Sequence, residues 1–78
     1  MNIFIYTKSN CPNCVAAKQL LKSKNLHYVE CDMEDPKVRT AFMIAHPEAR
    51  QMPQIFINDQ RVGGLAGLQV ALNQLSLI

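Results

Sequence analysis

The chain alternates between two hydrophobic periods. Asn2-Ile3-Phe4-Ile5-Tyr6 is a short, apolar, β-prone run that predicts a strand, and Thr7-Lys8-Ser9-Asn10 closes it with polar turn formers. From Pro12 the period lengthens. Val15, Lys18, Leu21 and Lys22 are interleaved with Ala16, Ala17, Gln19 and Leu20, all good helix formers, so a helix runs to about Lys24-Asn25. Pro12 suits its first turn, where a missing N–H costs nothing. Leu26 to Cys31 predicts a second strand, and Asp32 to Asp35 a turn in which Glu34 or Asp35 caps the next helix. Pro36 to Ala45 predicts that helix, with Val38, Phe42 and Ala45 on its buried side and His46-Pro47 as its stop. Gln54 to Ile57 is a third strand, Asn58-Asp59 a two-residue hairpin signal, and Gln60 to Val62 the return strand. After Gly63-Gly64, leucines 65, 68, 72 and 75 recur at helical spacing.

The predicted order is β-α-β-α-β-β-α. A strand, crossover helix and strand make a parallel, right-handed unit. The hairpin adds an antiparallel half, so one mixed four-stranded sheet flanked by three helices, an α/β class, is expected. With 78 residues, the expectation is one domain over 1–78.

Composition changes this picture little. Hydrophobic residues make up 49%, enough for one ordinary core, and a net charge of +2 is too mild to point to nucleic acid or a membrane. No basic, apolar leader opens the chain and no run approaches the ~20 apolar residues of a bilayer span, so a cytoplasmic monomer is expected. Three cysteines, an odd number, do not read as a disulfide framework.

The candidate chemistry lies in Cys11-Pro12-Asn13-Cys14. As a staple, the pair closes too short a loop to contribute much stability. As zinc ligands it lacks a second pair; Cys31, His27 and His46 have no zinc spacing. Cys31 fits a small buried hydrophobe, and the histidines fit surface or loop positions. Thiol–disulfide exchange remains. Cys11 precedes a helix, whose free N–H groups favour the reactive thiolate. Lowering a thiol pKa from ~8.5 to ~6 needs ~3.4 kcal/mol. A helix terminus supplies ~0.3–1 kcal/mol, up to ~2 where partly buried. Direct hydrogen bonds to sulfur must supply the rest. Cys11 is thus expected exposed and nucleophilic, and Cys14, one turn in, buried and resolving. No metal is expected.

Four blocks carry a family likeness: IYTKSNCPNC from Ile5, AKQLLKSK from Ala17, MPQIFIND from Met52 and VGG from Val62. In order and spacing the chain resembles the dithiol glutaredoxins of the thioredoxin superfamily. The resemblance implies a thioredoxin-like fold and glutathione as ligand and reductant. It implies a cis peptide before Pro53, beside the cysteines, with the Met52 backbone meeting an extended thiol peptide. It further implies that Lys8 meets one glutathione carboxylate, and that the backbone after Gly64, at Leu65 and Ala66, meets the other. Asn13 stands at a ligand-facing position where the family commonly has Tyr. Gln51-Met52 replaces the family's Thr-Val before the proline. The acidic residue that usually follows the glycine pair is missing, and a carboxylate at Gly67 is expected to restore a partner for the glutathione amine. The implied substrates are glutathione mixed disulfides and protein disulfides, ribonucleotide reductase among them. Two alternatives stand beside this reading: a redoxin served by thioredoxin reductase, and an iron–sulfur cluster carrier, against which Pro12 and Cys14 argue.

Overall fold

The computed structural model describes residues 1–75. Seven elements follow the predicted order: β1 (Ile3–Thr7), α1 (Pro12–Ser23), β2 (Val29–Asp32), α2 (Pro36–Ala45), β3 (Gln54–Ile57), β4 (Gln60–Gly63) and α3 (Leu65–Gln74). They form a four-stranded sheet in the order β2-β1-β3-β4. β1 pairs parallel with β2 and antiparallel with β3, and β3 pairs antiparallel with β4. This is the thioredoxin-like arrangement. Among the described residues, no helix is long and apolar enough to cross a membrane.

Strand alternation divides the core in two. Ile3 and Ile5 of β1 and Ile55 and Ile57 of β3 face Ala17 and Leu21 of α1 and Leu68 and Leu72 of α3. On the other face Tyr6 and Phe56 meet Phe42 of α2, with ring centroids 4.6 Å apart for Tyr6–Phe42. Ala45, placed by periodicity on the buried side of α2, is exposed, because the helix ends there. Leu75 is exposed too, one residue past α3.

Local chemistry explains the boundaries. Asp35 caps α2 by accepting the Lys37 N–H at 2.9 Å. Asn58 and Asp59 both have positive φ, 51° and 69°, as a tight hairpin of the favoured hand requires. α1 ends in a Schellman motif: Asn25 takes φ 57°, its N–H reaches the Lys22 carbonyl, and the Leu26 N–H reaches back to Leu21. That turn uses Leu26 to seal the core, so β2 begins at Val29 and not at Leu26.

Candidate active site

The site forms where β1, α1, β3 and α3 meet. Cys11 is the N-cap of α1, and its sulfur accepts the Cys14 N–H at 3.2 Å. Pro12 occupies the first turn, giving up no hydrogen bond. Cys11 and Cys14 are joined as a disulfide, with Cα atoms 5.2 Å apart. Cys14 is 1% exposed and Cys11 8%. The order of accessibility is therefore as expected, but Cys11 is not the exposed thiol anticipated. In the disulfide its sulfur is turned inward, 3.6 Å from the Met52 carbonyl oxygen.

Met52 and Pro53 complete this wall. Their peptide bond is cis and Pro53 is buried. Gly64 abuts the same proline: a Cβ built there would stand 3.5 Å from the Pro53 carbonyl oxygen. Gly64 is the N-cap of α3, with no side-chain cap and no acidic residue in the first turn. The N–H groups of Leu65 and Ala66 open that helix and have no intrahelical acceptor. Gly63 takes φ 102° at a bulge, where Ile55 pairs with Gly63 and Phe56 with Arg61.

Cys11, Cys14, Met52, Pro53 and Gly64 thus come together, with Leu65 and Ala66 beyond. Lys8 is exposed on the β1–α1 loop and shares a groove with Met52. Asn13 is exposed on the first turn of α1, and no described hydrogen bond ties its side chain to the others. Position 67 corrects an expectation. A Cβ there would lie 1.8 Å from the Val62 carbonyl oxygen, so α3 packs backbone against backbone and no carboxylate fits.

Several supporting contacts join residues too distant in sequence to be paired by spacing. Ser9 donates to Glu34 through its hydroxyl at 2.7 Å and its N–H at 3.2 Å, fastening the cysteine loop to the β2–α2 turn. Those bonds hold the Glu34 carboxyl below its ordinary range. Beneath, the buried Thr7 hydroxyl donates to Glu30 at 2.7 Å and Lys18 reaches the same oxygen at 2.9 Å. The Thr7 bond, then Lys18, lowers the Glu30 pKa. An exposed Arg61–Glu48 ion pair and a Gln54 bond to the Gln51 carbonyl brace the loop carrying Met52.

Cys31 stands apart. It pairs with Tyr6, on the opposite sheet face from Ile5 and Thr7, and burial pushes its thiol pKa up. A thiol that stays protonated is a slow nucleophile. Among the described residues, no three His, Cys, Asp or Glu side chains converge as metal ligands.

Residues 3–62 match the family model described as Glutaredoxin. Glutaredoxin 3 of Escherichia coli K12 is 40% identical over 63 residues, covering 81% of this chain and 76% of that protein. Among solved structures, glutaredoxin 1 of Francisella tularensis, crystallised with cacodylate, superposes with a TM-score of 0.78 at 29% identity, over 96% of this chain and 95% of that one. A mutant of a thioredoxin-like protein superposes at 0.82 with 26% identity, over 97% and 96%.

Proposed function

The chain belongs to the glutaredoxin family of thiol–disulfide oxidoreductases, and from that premise we propose that glutathione is its reductant and Cys11 its nucleophile. The observation that carries the reading is the cap geometry. Cys11 already accepts the Cys14 N–H at the start of a helix, and that donor stabilises negative charge on its sulfur.

The Cys11 thiolate attacks one sulfur of a substrate disulfide; a new S–S bond forms, the old one breaks, and the leaving thiolate takes a proton from solvent. Cys14 loses its proton and attacks the Cys11 sulfur, releasing the second substrate thiol and leaving the Cys11–Cys14 disulfide. One glutathione thiolate opens that disulfide at Cys11. A second removes the first as glutathione disulfide, returning both cysteines to the reduced state. When the substrate is already a glutathione mixed disulfide, Cys14 is not needed.

Glutathione would lie along the cis-proline loop. Met52 offers its backbone, Pro53 shapes the wall, Lys8 meets one carboxylate, and the Leu65 and Ala66 N–H groups past Gly64 meet the other. Asn13 faces the ligand from α1. This cycle suits a reducing compartment, the cytoplasm, where a thiol pool regenerates the pair.

A second reading has one specific observation in its favour. The start of α3 lacks a carboxylate and Gly67 cannot carry one, which leaves the glutathione amine without a partner. A redoxin reduced by thioredoxin reductase and serving ribonucleotide reductase has no such requirement. Paired turnover separates the two. With NADPH, we expect rapid reduction of a disulfide when glutathione and glutathione reductase are supplied, and slow reduction with thioredoxin reductase alone. The reverse result overturns the glutathione reading.

A further inference from the structure

The sheet face turned away from α1 carries a second concavity, remote from the cysteines. Phe4 and Tyr6 of β1 and Phe56 of β3 share that face, and Phe4 lies directly across from Phe56. His46, the C-cap of α2, adds a fourth ring: its centroid is 5.1 Å from that of Phe56 at 45°, and Tyr6 stands 5.8 Å from Phe56 at 74°. The rings are inclined, not stacked, and together with Asp59 they line an open hollow of about 330 Å³. It sits at the start of β1, beside the β3–β4 hairpin, where the Asn58 N–H reaches the Asn2 carbonyl at 2.8 Å. Cys11 lies beyond the other end of that strand. α2 covers only part of this face, and Phe4 is 36% exposed.

Asp59 gives the hollow its charge. Its neighbour Asn58 accepts the Asn2 N–H at 2.9 Å. Among the described residues, the Asp59 carboxylate accepts no hydrogen bond and enters no ion pair. No described lysine or arginine lines the hollow. Arg61, across from Phe56 on β4, is held by Glu48 at 2.8 Å, and Lys37 belongs to the adjoining hollow beside Cys31. Aromatic faces attract cations, and an unanswered carboxylate asks for donors to both of its oxygens. A lysine ammonium is compact and strongly hydrated, so a shallow aromatic site strips its water at a cost. A quaternary ammonium has no donor for Asp59. A guanidinium is planar and weakly hydrated, stacks on rings, and forks onto both oxygens of a carboxylate.

We propose that this hollow receives an arginine side chain of a protein partner, with its guanidinium on the aromatic rings and its N–H groups on Asp59. The source is a polypeptide and not free arginine, because nothing cationic lines the hollow to meet an α-carboxylate. Val29, paired with Phe4 and 52% exposed, instead continues the apolar surface toward residues flanking the arginine. A partner held here leaves Cys11 open, so the contact tethers without blocking exchange.

The test is a nuclear magnetic resonance titration of the full chain in mildly alkaline buffer, where an ordinary imidazole is neutral. Four probes are compared: an end-capped Val-Arg-Val peptide, the same peptide with citrulline, the same with lysine, and free arginine. The arginine peptide should shift the ring signals of Phe4, Tyr6 and Phe56, and bind roughly three- to tenfold more tightly than the citrulline peptide. It should also bind more tightly than the lysine peptide and free arginine. Asp59→Asn keeps a residue that accepts positive φ, and Phe4→Leu keeps an apolar strand residue. Each should erase the preference for arginine over citrulline while disulfide exchange runs at the original rate, which also shows that the variant is folded. Saturating peptide should leave exchange by the unaltered protein unchanged. Equal binding of the arginine and citrulline peptides, a preference that survives Asp59→Asn, or shifts centred on Lys8 and Met52 would overturn the site. Lysine binding as tightly as arginine overturns the guanidinium assignment, and free arginine binding as tightly as the peptide overturns the protein partner.

Discussion

At the scale of single residues, position on a helix separates two chemically identical thiols. Cys11 caps α1 and meets an N–H donor, whereas Cys14 is enclosed at 1% exposure. Cys11→Ser should therefore abolish all exchange. Cys14→Ser should keep turnover of glutathione mixed disulfides but lose most reduction of protein disulfides; steady-state assays of both substrates check this, and equal loss of the two removes the resolving role. The CxxC spacing made the pair visible in the sequence, but the inward turn of Cys11 was not, because it depends on Met52, which arrives from a distant loop. Glu30 was invisible for the same reason: its partners Thr7 and Lys18 lie on other elements. Its carboxyl is held below the usual range, so the folded state binds its proton less readily than the unfolded chain. The stability this contributes is fully present above the unfolded carboxyl value of ~4.3. It is lost as pH falls through the lower folded value. Glu30→Gln should thus give a shallower fall of Tm with acid below about pH 4.3, read by thermal melts across pH. The side chain is 40% exposed, so solvent screening keeps the effect modest.

At the scale of elements, the caps and turns were legible because their chemistry is local. Pro12, Asp35 and Asn58-Asp59 each act within a few residues of themselves. β2 was less legible. Leu26, His27 and Tyr28 have strand-like character, but the αL turn at Asn25 commits Leu26 to closing α1. Gly67 shows the opposite failure. Its sequence context reads as an ordinary helix position, yet it touches the Val62 backbone. Gly67→Ala should cost roughly 2 kcal/mol or more through overpacking, outweighing the ~1 kcal/mol gained by removing a helical glycine. Urea unfolding measures the balance, and a net gain in stability would show that α3 can move off β4.

At the scale of the whole molecule, little stability is available. A chain of this length is expected to have about 4–12 kcal/mol in total. Leu68 is fully buried between α3 and the sheet. Leu68→Ala should cost ~3–5 kcal/mol, enough to unfold much of the population at 37 °C, and circular dichroism melts would show it. Exchange should fail with the fold, since α3 carries the wall at Gly64. The sequence by itself determined the element order, the mixed sheet and the reactive pair. Hydrophobic period, capping and the CxxC spacing act over one or two turns of chain, and handedness rules then leave few topologies. Only the tertiary structure decided what surrounds the sulfur: Met52 beside Cys11, Gly64 against Pro53, Ser9 tied to Glu34, and Lys8, Arg39 and Arg50 around one groove. Those contacts join segments far apart in the chain. Their geometry is set by how α2 and the cis-proline loop pack on the sheet, and no periodicity along the sequence encodes that distance.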